Sequence, residues 1–423
     1  MARLIGLKIV SAVSMFFAVT PMTQFAHAQA YTVLHSFSGA GNGEYPRDNW
    51  SLLIDPKGNV YGTTPYTTEP RQGRGTVFRL SSVGQLSLLD KFSSNDPDGK
   101  EPFAGLTADK TGNLYGTTWA GGERGWGTIF ELTPPKPGHS GWTETVLHSF
   151  DRGSDGTDAG QLTIDNMGNL YGSADNGQQG GGTVFKLSKT GAFAVLHYFS
   201  GGAEGDGPGG LVLDPFGNIY GVTGVGGINS CNGEKGCGVV FRLTPSGQET
   251  VLYSFTGGSD GGVPSSSLIL NASQRALYGI TGLGGDLSCG LSPSQGCGVI
   301  FRLDATGETV LYSFTGASDG GYPTTLISDK AGNLYGSTIG GGDLSCDPTL
   351  GVGCGVLFKL DTEGNYSVIY TFGAADFPSG TGGVAGLGLD NQGDLYGVTA
   401  YGGDFSCNSS GCGTVFKLSN ASR

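Results

Sequence analysis

Short apolar runs bounded by glycine recur along the chain, and four successive runs form a unit that appears seven times. The first run ends in Asp, as in Gly105-Leu106-Thr107-Ala108-Asp109 and Gly210-Leu211-Val212-Leu213-Asp214. The second carries Leu-Tyr-Gly or a close variant, with tyrosines Tyr61, Tyr115, Tyr171, Tyr220, Tyr278, Tyr335 and Tyr396. The third reads Gly-Thr-Val-Phe-Lys-Leu and variants, with Phe78, Phe130, Phe185, Phe241, Phe301, Phe358 and Phe416. The fourth reads Val-Leu-His-Ser-Phe and variants, ending at Phe37, Phe92, Phe150, Phe199, Phe255, Phe314 and Phe372. We name these runs A, B, C and D. Richness in Val, Ile, Leu, Phe and Tyr between glycines predicts strands. The runs do not alternate cleanly between apolar and polar, the pattern of strands covered on both faces.

The tyrosines are spaced by 54, 56, 49, 58, 57 and 61 residues. Four strands in a unit of that length predict an all-β, seven-bladed β-propeller of four-stranded antiparallel blades. A parallel β-helix is the competing repeat fold, but its coils are much shorter. The phase of the repeat favours a ring. The chain's repeats open on a D run, 33–37, and close on a C run, 413–418. Pairing the opening D with the closing A, B and C completes the seventh blade and hides two sheet edges. Residues 29–423 then form one propeller domain.

The A–B turn is Asp-x-x-Gly-Asn in most units, as in Asp109 to Asn113, where glycine supplies positive φ and Asp bonds its own backbone. The fifth unit breaks the rule with Asn271-Ala272-Ser273-Gln274-Arg275-Ala276, predicting a distorted turn. Antiparallel strands place the short A–B and C–D turns at one end of the ring. The longer, variable B–C and D–A loops share the other end, where a binding site is expected.

Residues 1–28 read as a secretory signal peptide: basic Arg3 and Lys8, an apolar stretch from Ile9 to Val19, and a cleavage site at Ala26-His27-Ala28. Without that segment the chain carries 21 basic against 36 acidic residues, a net charge of −15. Such acidity disfavours nucleic acid and anionic lipid as partners, and no stretch of the mature sequence is apolar enough for a membrane span. A secreted or cell-envelope protein is expected. The partner is unknown, with an extracellular glycan or protein in view.

All eight cysteines fall in B–C loops and pair within blades: Cys231 with Cys237, Cys289 with Cys297, Cys346 with Cys354, Cys407 with Cys412. An even count behind an export signal predicts disulfides, each worth about 2–2.6 kcal/mol by loop-closure entropy. Zinc is disfavoured, since two thiolates without a local histidine do not complete a tetrahedral site. The first three blades lack cysteine. Their B–C loops carry Tyr66, Glu69, Arg71 and Arg74, then Trp119, Glu123, Arg124 and Trp126, then Asp175 and Asn176. Flat aromatics beside acidic and amide groups suit sugar rings, which makes Tyr66, Trp119, Trp126, Glu123, Arg124 and Asp175 the candidate ligand-binding residues. Packing of loops that lack a disulfide is the alternative role for these side chains.

No catalytic residue stands out. His35, His148 and His197 occupy one D-strand position, taken by Tyr253, Tyr312 and Tyr370 in other units, so they read as repeat-encoded. The D–A loops repeat Asp-Gly, and Asp96-Pro97-Asp98-Gly99 matches part of a calcium loop. The ligand ladder and closing Glu are missing, so turn formation is the expectation and calcium the alternative. No nucleophile motif, phosphate loop or dinucleotide fingerprint appears.

With Gly-Asn-Leu-Tyr-Gly-Thr-Thr (112–118), Gly-Thr-Ile-Phe-Glu-Leu (127–132) and Val-Leu-His-Ser-Phe (146–150), the chain resembles the GloVer tandem-repeat family across nearly all of residues 31–418. The resemblance implies an exported bacterial repeat protein whose relatives differ in their C-terminal anchors. It implies no activity and carries over no catalytic residue. The ending Asn420-Ala421-Ser422-Arg423 has no apolar tail or sorting motif, so no anchor is expected. The leading expectation is a binding or interaction scaffold, with carbohydrate in view. The rival is an extracellular carbohydrate-active lyase or lactonase on the same scaffold.

Overall fold

The computed structural model describes residues 29–39, 41–46, 51–67, 74–92, 96–228, 235–289, 295–346, 352–377, 383–407, 410–419 and 421. The apolar runs form seven antiparallel sheets, each ordered A–B–C–D. Blade one contains Leu53–Ile54, Val60–Thr64, Thr76–Leu80 and Leu86–Lys91. In blade four the inner strand is split into Asp206–Pro208 and Val212–Leu213, both paired with Ile219–Val225.

The ring closes as the phase of the repeat predicts. Strand Tyr31–Ser36 pairs antiparallel with Thr414–Leu418, in the register Tyr31 to Leu418 and Ser36 to Thr414. A register shift between Val33 and His35 marks a β-bulge. The same shift sits beside the C-strand phenylalanine in the other six blades, as at Val184/Phe185 and Val240/Phe241. The bulge explains the D run's failure to alternate. One extra residue, such as Leu34, Leu147 or Leu196, turns onto the next blade's core while its neighbours stay in register.

Each hydrophobic cluster lies between two blades rather than within one. Val77 and Phe92 of blade one, for example, pack on Leu114 and Phe130 of blade two. At every boundary the D-strand phenylalanine meets the next blade's C-strand phenylalanine at 5.0–5.8 Å between ring centroids. Phe37 on Phe78 completes this belt across the closure. Such pairs contribute about 0.5–1.5 kcal/mol each beyond area burial.

The turn motif and the tyrosine motif form one device. In blade one Asp55 Oδ1 accepts from the N–H groups of Lys57 and Asn59, while Oδ2 accepts from the Asn59 amide and the Tyr61 hydroxyl. Tyr115, Tyr171, Tyr220, Tyr335 and Tyr396 donate to their own turn aspartates in the same way. In the irregular fifth blade Asn271 Oδ1 accepts from the Gln274 N–H at 3.1 Å, Arg275 takes φ 50°, and Gln274 accepts the Tyr278 hydroxyl. The turn is distorted, but its tyrosine keeps a partner.

Three disulfides join Cys289–Cys297, Cys346–Cys354 and Cys407–Cys412, with Cα separations of 5.9, 6.1 and 5.5 Å. The Cys231–Cys237 pairing lies partly outside the described residues, as do Glu69 and Arg71.

Candidate functional site

Strands A and B are innermost, so the residues just before A and just after B surround the channel at the end carrying the long loops. These segments are bridged to one another: Glu44 to Tyr66, Lys100 to Ala120, and Thr157 to Asp175. Before the inner strand a side-chain-bearing residue repeatedly adopts a left-handed backbone: Tyr45 (φ 56°), Glu101 (61°), Asp158 (52°), Val263 (53°) and Tyr322 (56°). All but Asp158 precede proline. That backbone is costly for a side-chain-bearing residue, above all for a β-branched one, and persists only where neighbours over-determine it. Here the N–H groups of Tyr45, Val263 and Tyr322 donate to the carbonyls of Cys412, Cys237 and Cys297 in the preceding blade. The cysteine-bearing loops thus fix the neighbouring blade's rim residue.

Around this mouth the left-handed residues contribute to two continuous features. One is a row of aromatics drawn from three blades. Tyr401 meets Tyr45 at 5.9 Å, Tyr45 meets Tyr66 at 6.3 Å, Tyr66 meets Phe103 at 5.5 Å, and Phe103 stacks on Trp119 at 4.1 Å. Phe103 is buried, whereas Trp119 is 37% exposed, so its outer face is open. The second feature is a set of coupled carboxylates. Glu101 is raised by burial and by Asp158. Asp175 is pushed up to about 6 by desolvation within the concave mouth and by the charges of Asp158 and Asp206. Its surface is nonetheless reachable by solvent. The Trp119 N–H donates to the Glu101 carbonyl, joining the two features.

The structure separates the six nominated residues into three places. Tyr66, Trp119 and Asp175 lie at the mouth. Trp126 lies apart under the Arg152 guanidinium, 4.5 Å from its ring centre. Glu123 and Arg124 border a cavity of 780 Å³ against the outer strands of blades two and three, lined also by His148, Asp151, Asp155 and Phe193. In that cavity His148 Nε2 contacts Asp155 Oδ2 at 2.7 Å and its ring stacks on Phe193 at 3.7 Å. Tyr45, Phe103, Tyr401, Glu101, Asp158 and Asp206, which the sequence did not single out as ligand-binding, also lie at the mouth. The recurring residue before Pro46, Pro102, Pro264 and Pro323 was the signal available for the rim positions.

Three of the Asp-Gly aspartates, Asp155, Asp260 and Asp319, anchor D strands. Asp260 and Asp319 accept from Tyr253 and Tyr312, each at 3.0 Å, as Asp155 meets His148. At the boundary of blades one and two Asp90 replaces the histidine, next to Asp98 and Glu144. Burial and the charges of Asp90 and Asp98 push Glu144 up to about 8, and its buried Oε1 has no hydrogen-bond partner. A carboxyl whose pKa is higher folded than unfolded stabilises fully below its ordinary 4.5 and loses that contribution as pH rises through about 8. Glu144→Gln should therefore leave the melting temperature unchanged at pH 4.5 and raise it by about 2–4 °C at pH 9. That corresponds to about 1–2 kcal/mol after discounting for partial solvent screening. Identical melting profiles of the two proteins from pH 4.5 to 9 would refute this assignment.

A hollow of 1090 Å³ occupies the channel and reaches the opposite end, where Asp165, Met167, Asp214 and Phe216 line it. Its walls are largely the aliphatic inner strands, including Leu106, Leu162, Leu211 and Leu268. Gln161 Nε2 donates to the carbonyls of Ser51 and Leu106, tying the inner strands of the first three blades together. The mouth, in contrast, combines the Tyr45–Trp119 aromatic row with the raised carboxyls of Glu101 and Asp175.

Among solved structures, the chain resembles a virginiamycin B lyase from Staphylococcus aureus bound to quinupristin. The TM-score is 0.56 at 14% identity, covering 92% of this chain and 99% of that one. It also resembles a streptogramin B lyase, with TM-score 0.53 at 16% identity over 92% and 97% of the two chains. PorZ, a surface component of the type-IX secretion system of Porphyromonas gingivalis, gives TM-score 0.53 at 13% identity, over 91% of this chain and 47% of that one. These likenesses show the propeller fold alone. No curated protein matches the sequence. The Gloeobacter/Verrucomicrobia repeat matches residues 15–173 and 51–293, and the chain belongs to that repeat family.

Proposed function

We propose that this protein is an exported binding propeller, released by removal of residues 1–28, that holds a carbohydrate at the mouth formed by Trp119, Tyr66, Tyr45 and the carboxylates Glu101, Asp158, Asp175 and Asp206. The reading rests on one observation: an aromatic row from three blades ends in the open face of Trp119 beside coupled carboxylates. A sugar ring stacks its C–H face on an indole while its hydroxyls donate to carboxylate oxygens. The negative mouth favours neutral or amino sugars over uronates and sulfated sugars. Disulfides fit an oxidising compartment outside the cytosol.

Glycan-array binding of the chain from Gln29 onward tests this. Trp119→Ala should lower the signal about tenfold, the loss expected if its open face contributes about 1.4 kcal/mol of stacking. Trp126→Ala should retain it, because that ring lies outside the mouth. No array signal, or equal signals in both variants, would remove the proposal. A second reading is favoured by Asp175, whose carboxyl, pushed up to about 6 at the mouth, suits a general acid or base. In a lyase or lactonase Asp175→Asn would keep ligand binding and abolish turnover. In a pure binder there would be no turnover to lose.

A further inference from the structure

We propose that the outer rim between blades three and four holds a divalent cation, with His197, Glu204 and Glu249 as its protein ligands and Zn²⁺ as the best-fitting ion. The three come from separate elements. His197 lies on Phe193–Tyr198, the D strand of blade three. Glu204 lies in the short helical turn Gly202–Glu204 that leads towards blade four. Glu249 opens Glu249–Ser254, the D strand of blade four. One ligand atom from each lies within 4.8 Å of the other two.

The positions are repeat-encoded, but the chemistry is not. At four of the other boundaries the histidine or tyrosine of this place closes on a protein partner. Asp155 meets His148 under Phe193, and Asp319 accepts from Tyr312, which stacks on Tyr366 at 3.8 Å. Asp376 accepts from Tyr370, which stacks on Tyr31 at 4.3 Å. Tyr253 supplies its own hydroxyl to Asp260, although Glu308 is available there. Among the described residues, a histidine and two glutamates converge only at the boundary of blades three and four.

Here, as at Asp90, Glu144 and Glu308, carboxyl or ring atoms remain unsatisfied, but only here do they include a histidine nitrogen facing two glutamates among the described residues. His197 Nε2 and Glu249 Oε1 are buried atoms without a hydrogen-bond partner. Glu204 uses Oε1 for the N–H and hydroxyl of Ser200, which leaves Oε2 directed at His197. The separation of Oε2 from His197 Nε2 is 3.4 Å. That matches the edge, about 3.3 Å, of a tetrahedron with metal–ligand bonds of 2.0–2.1 Å. One imidazole nitrogen with two carboxylates is a mixed N/O set suited to Zn²⁺ and related first-row ions rather than to calcium, which takes oxygen alone. All three side chains are half-buried, so the ion has a path from solvent and water completes its coordination. The bound cation would clamp the outer strands of two blades that share no disulfide among the described residues.

Isothermal titration calorimetry of Zn²⁺ into the metal-free, untagged chain from Gln29 should give one site, with a matching rise in melting temperature. His197→Tyr restores the residue type of Tyr253, Tyr312 and Tyr370 at this position and so keeps the fold. It should weaken binding about tenfold or more and abolish the thermal shift, as should Glu249→Gln. X-ray absorption at the zinc edge of the unmutated protein should show a shell of nitrogen and oxygen with an imidazole signature, independently of how the variants fold. Absence of binding, unchanged binding in both variants, or sulfur in the zinc shell would each overturn the proposal.

Discussion

Deleting residues 29–37 should abolish cooperative folding of the whole ring, not merely fray one end. The loss removes every backbone bond between Tyr31–Ser36 and Thr414–Leu418, leaving the C strand of blade seven as an open edge. It also removes Phe37 from Phe78 and Tyr31 from Tyr370 and Phe416, so the cores at two boundaries are exposed together. Because each blade buries its faces only against its neighbours, the cost is not confined to blade seven. The expected result is a broad, low-temperature transition and aggregation, where the full-length domain melts sharply. A circular permutant that joins residue 419 to residue 30 through a short linker and opens at the exposed turn after Lys57 is the control. It keeps all seven blades and should melt within about 5 °C of the parent. If the deletion itself melted cooperatively within that same range, the strand would be decoration rather than closure.

How much of this was legible beforehand depends on how local each cause is. The blades were readable because the Asp-x-x-Gly-Asn turn and Leu-Tyr-Gly lie on one hairpin: Asp109 and Tyr115, which meet through the tyrosine hydroxyl, are six residues apart. The closing blade was readable because a repeat split between the two ends has no other economical completion. The D-strand bulge was not readable, since Val-Leu-His-Ser-Phe carries no glycine or proline to mark an extra residue. The mouth was only partly readable. Trp119 was found as a departure from the repeat, but its stacking partner Phe103 comes from the D–A loop, and Tyr45 from a different blade boundary. Which loop residues turn inward depends on left-handed positions: a following proline marks Glu101, but nothing local marks Asp158. Trp126 was nominated on the same grounds as Trp119, yet its loop places it under Arg152 instead. The histidine at 197 was read as repeat-encoded, which is true of its position. The glutamates that join it come from a turn seven residues later and a strand of the next blade.

Gly221→Ala should destabilise the protein by about 2–3 kcal/mol, because the glycine of Leu-Tyr-Gly is a packing requirement rather than a turn residue. A Cβ there would meet Cζ of Phe241 at 2.5 Å and Cδ2 of Leu211 at 2.9 Å. The ring of the C-strand phenylalanine lies directly over the B-strand backbone, and Gly116, Gly172, Gly279, Gly336 and Gly397 face Phe130, Phe185, Phe301, Phe358 and Phe416 in the same way. Phe241 cannot retreat, since it is fully buried and held by Phe199 of the preceding blade at 5.0 Å. Overpacking a rigid core costs about 1–3 kcal/mol, and the 0.5–1 kcal/mol or so that alanine recovers over glycine in a strand does not offset a contact this short. Gly224→Ala lies on the same strand, Ile219–Val225, with no atom within 4 Å of the added methyl, and should be neutral or slightly stabilising. The decisive measurement is a double-mutant cycle with Phe241→Leu, followed by chemical denaturation. If the methyl and the ring compete for one space, the double variant should be more stable than the sum of the single losses predicts, by at least about 1 kcal/mol. Strict additivity would mean that the glycine is needed for its backbone alone, and that the repeat's central motif has been misread.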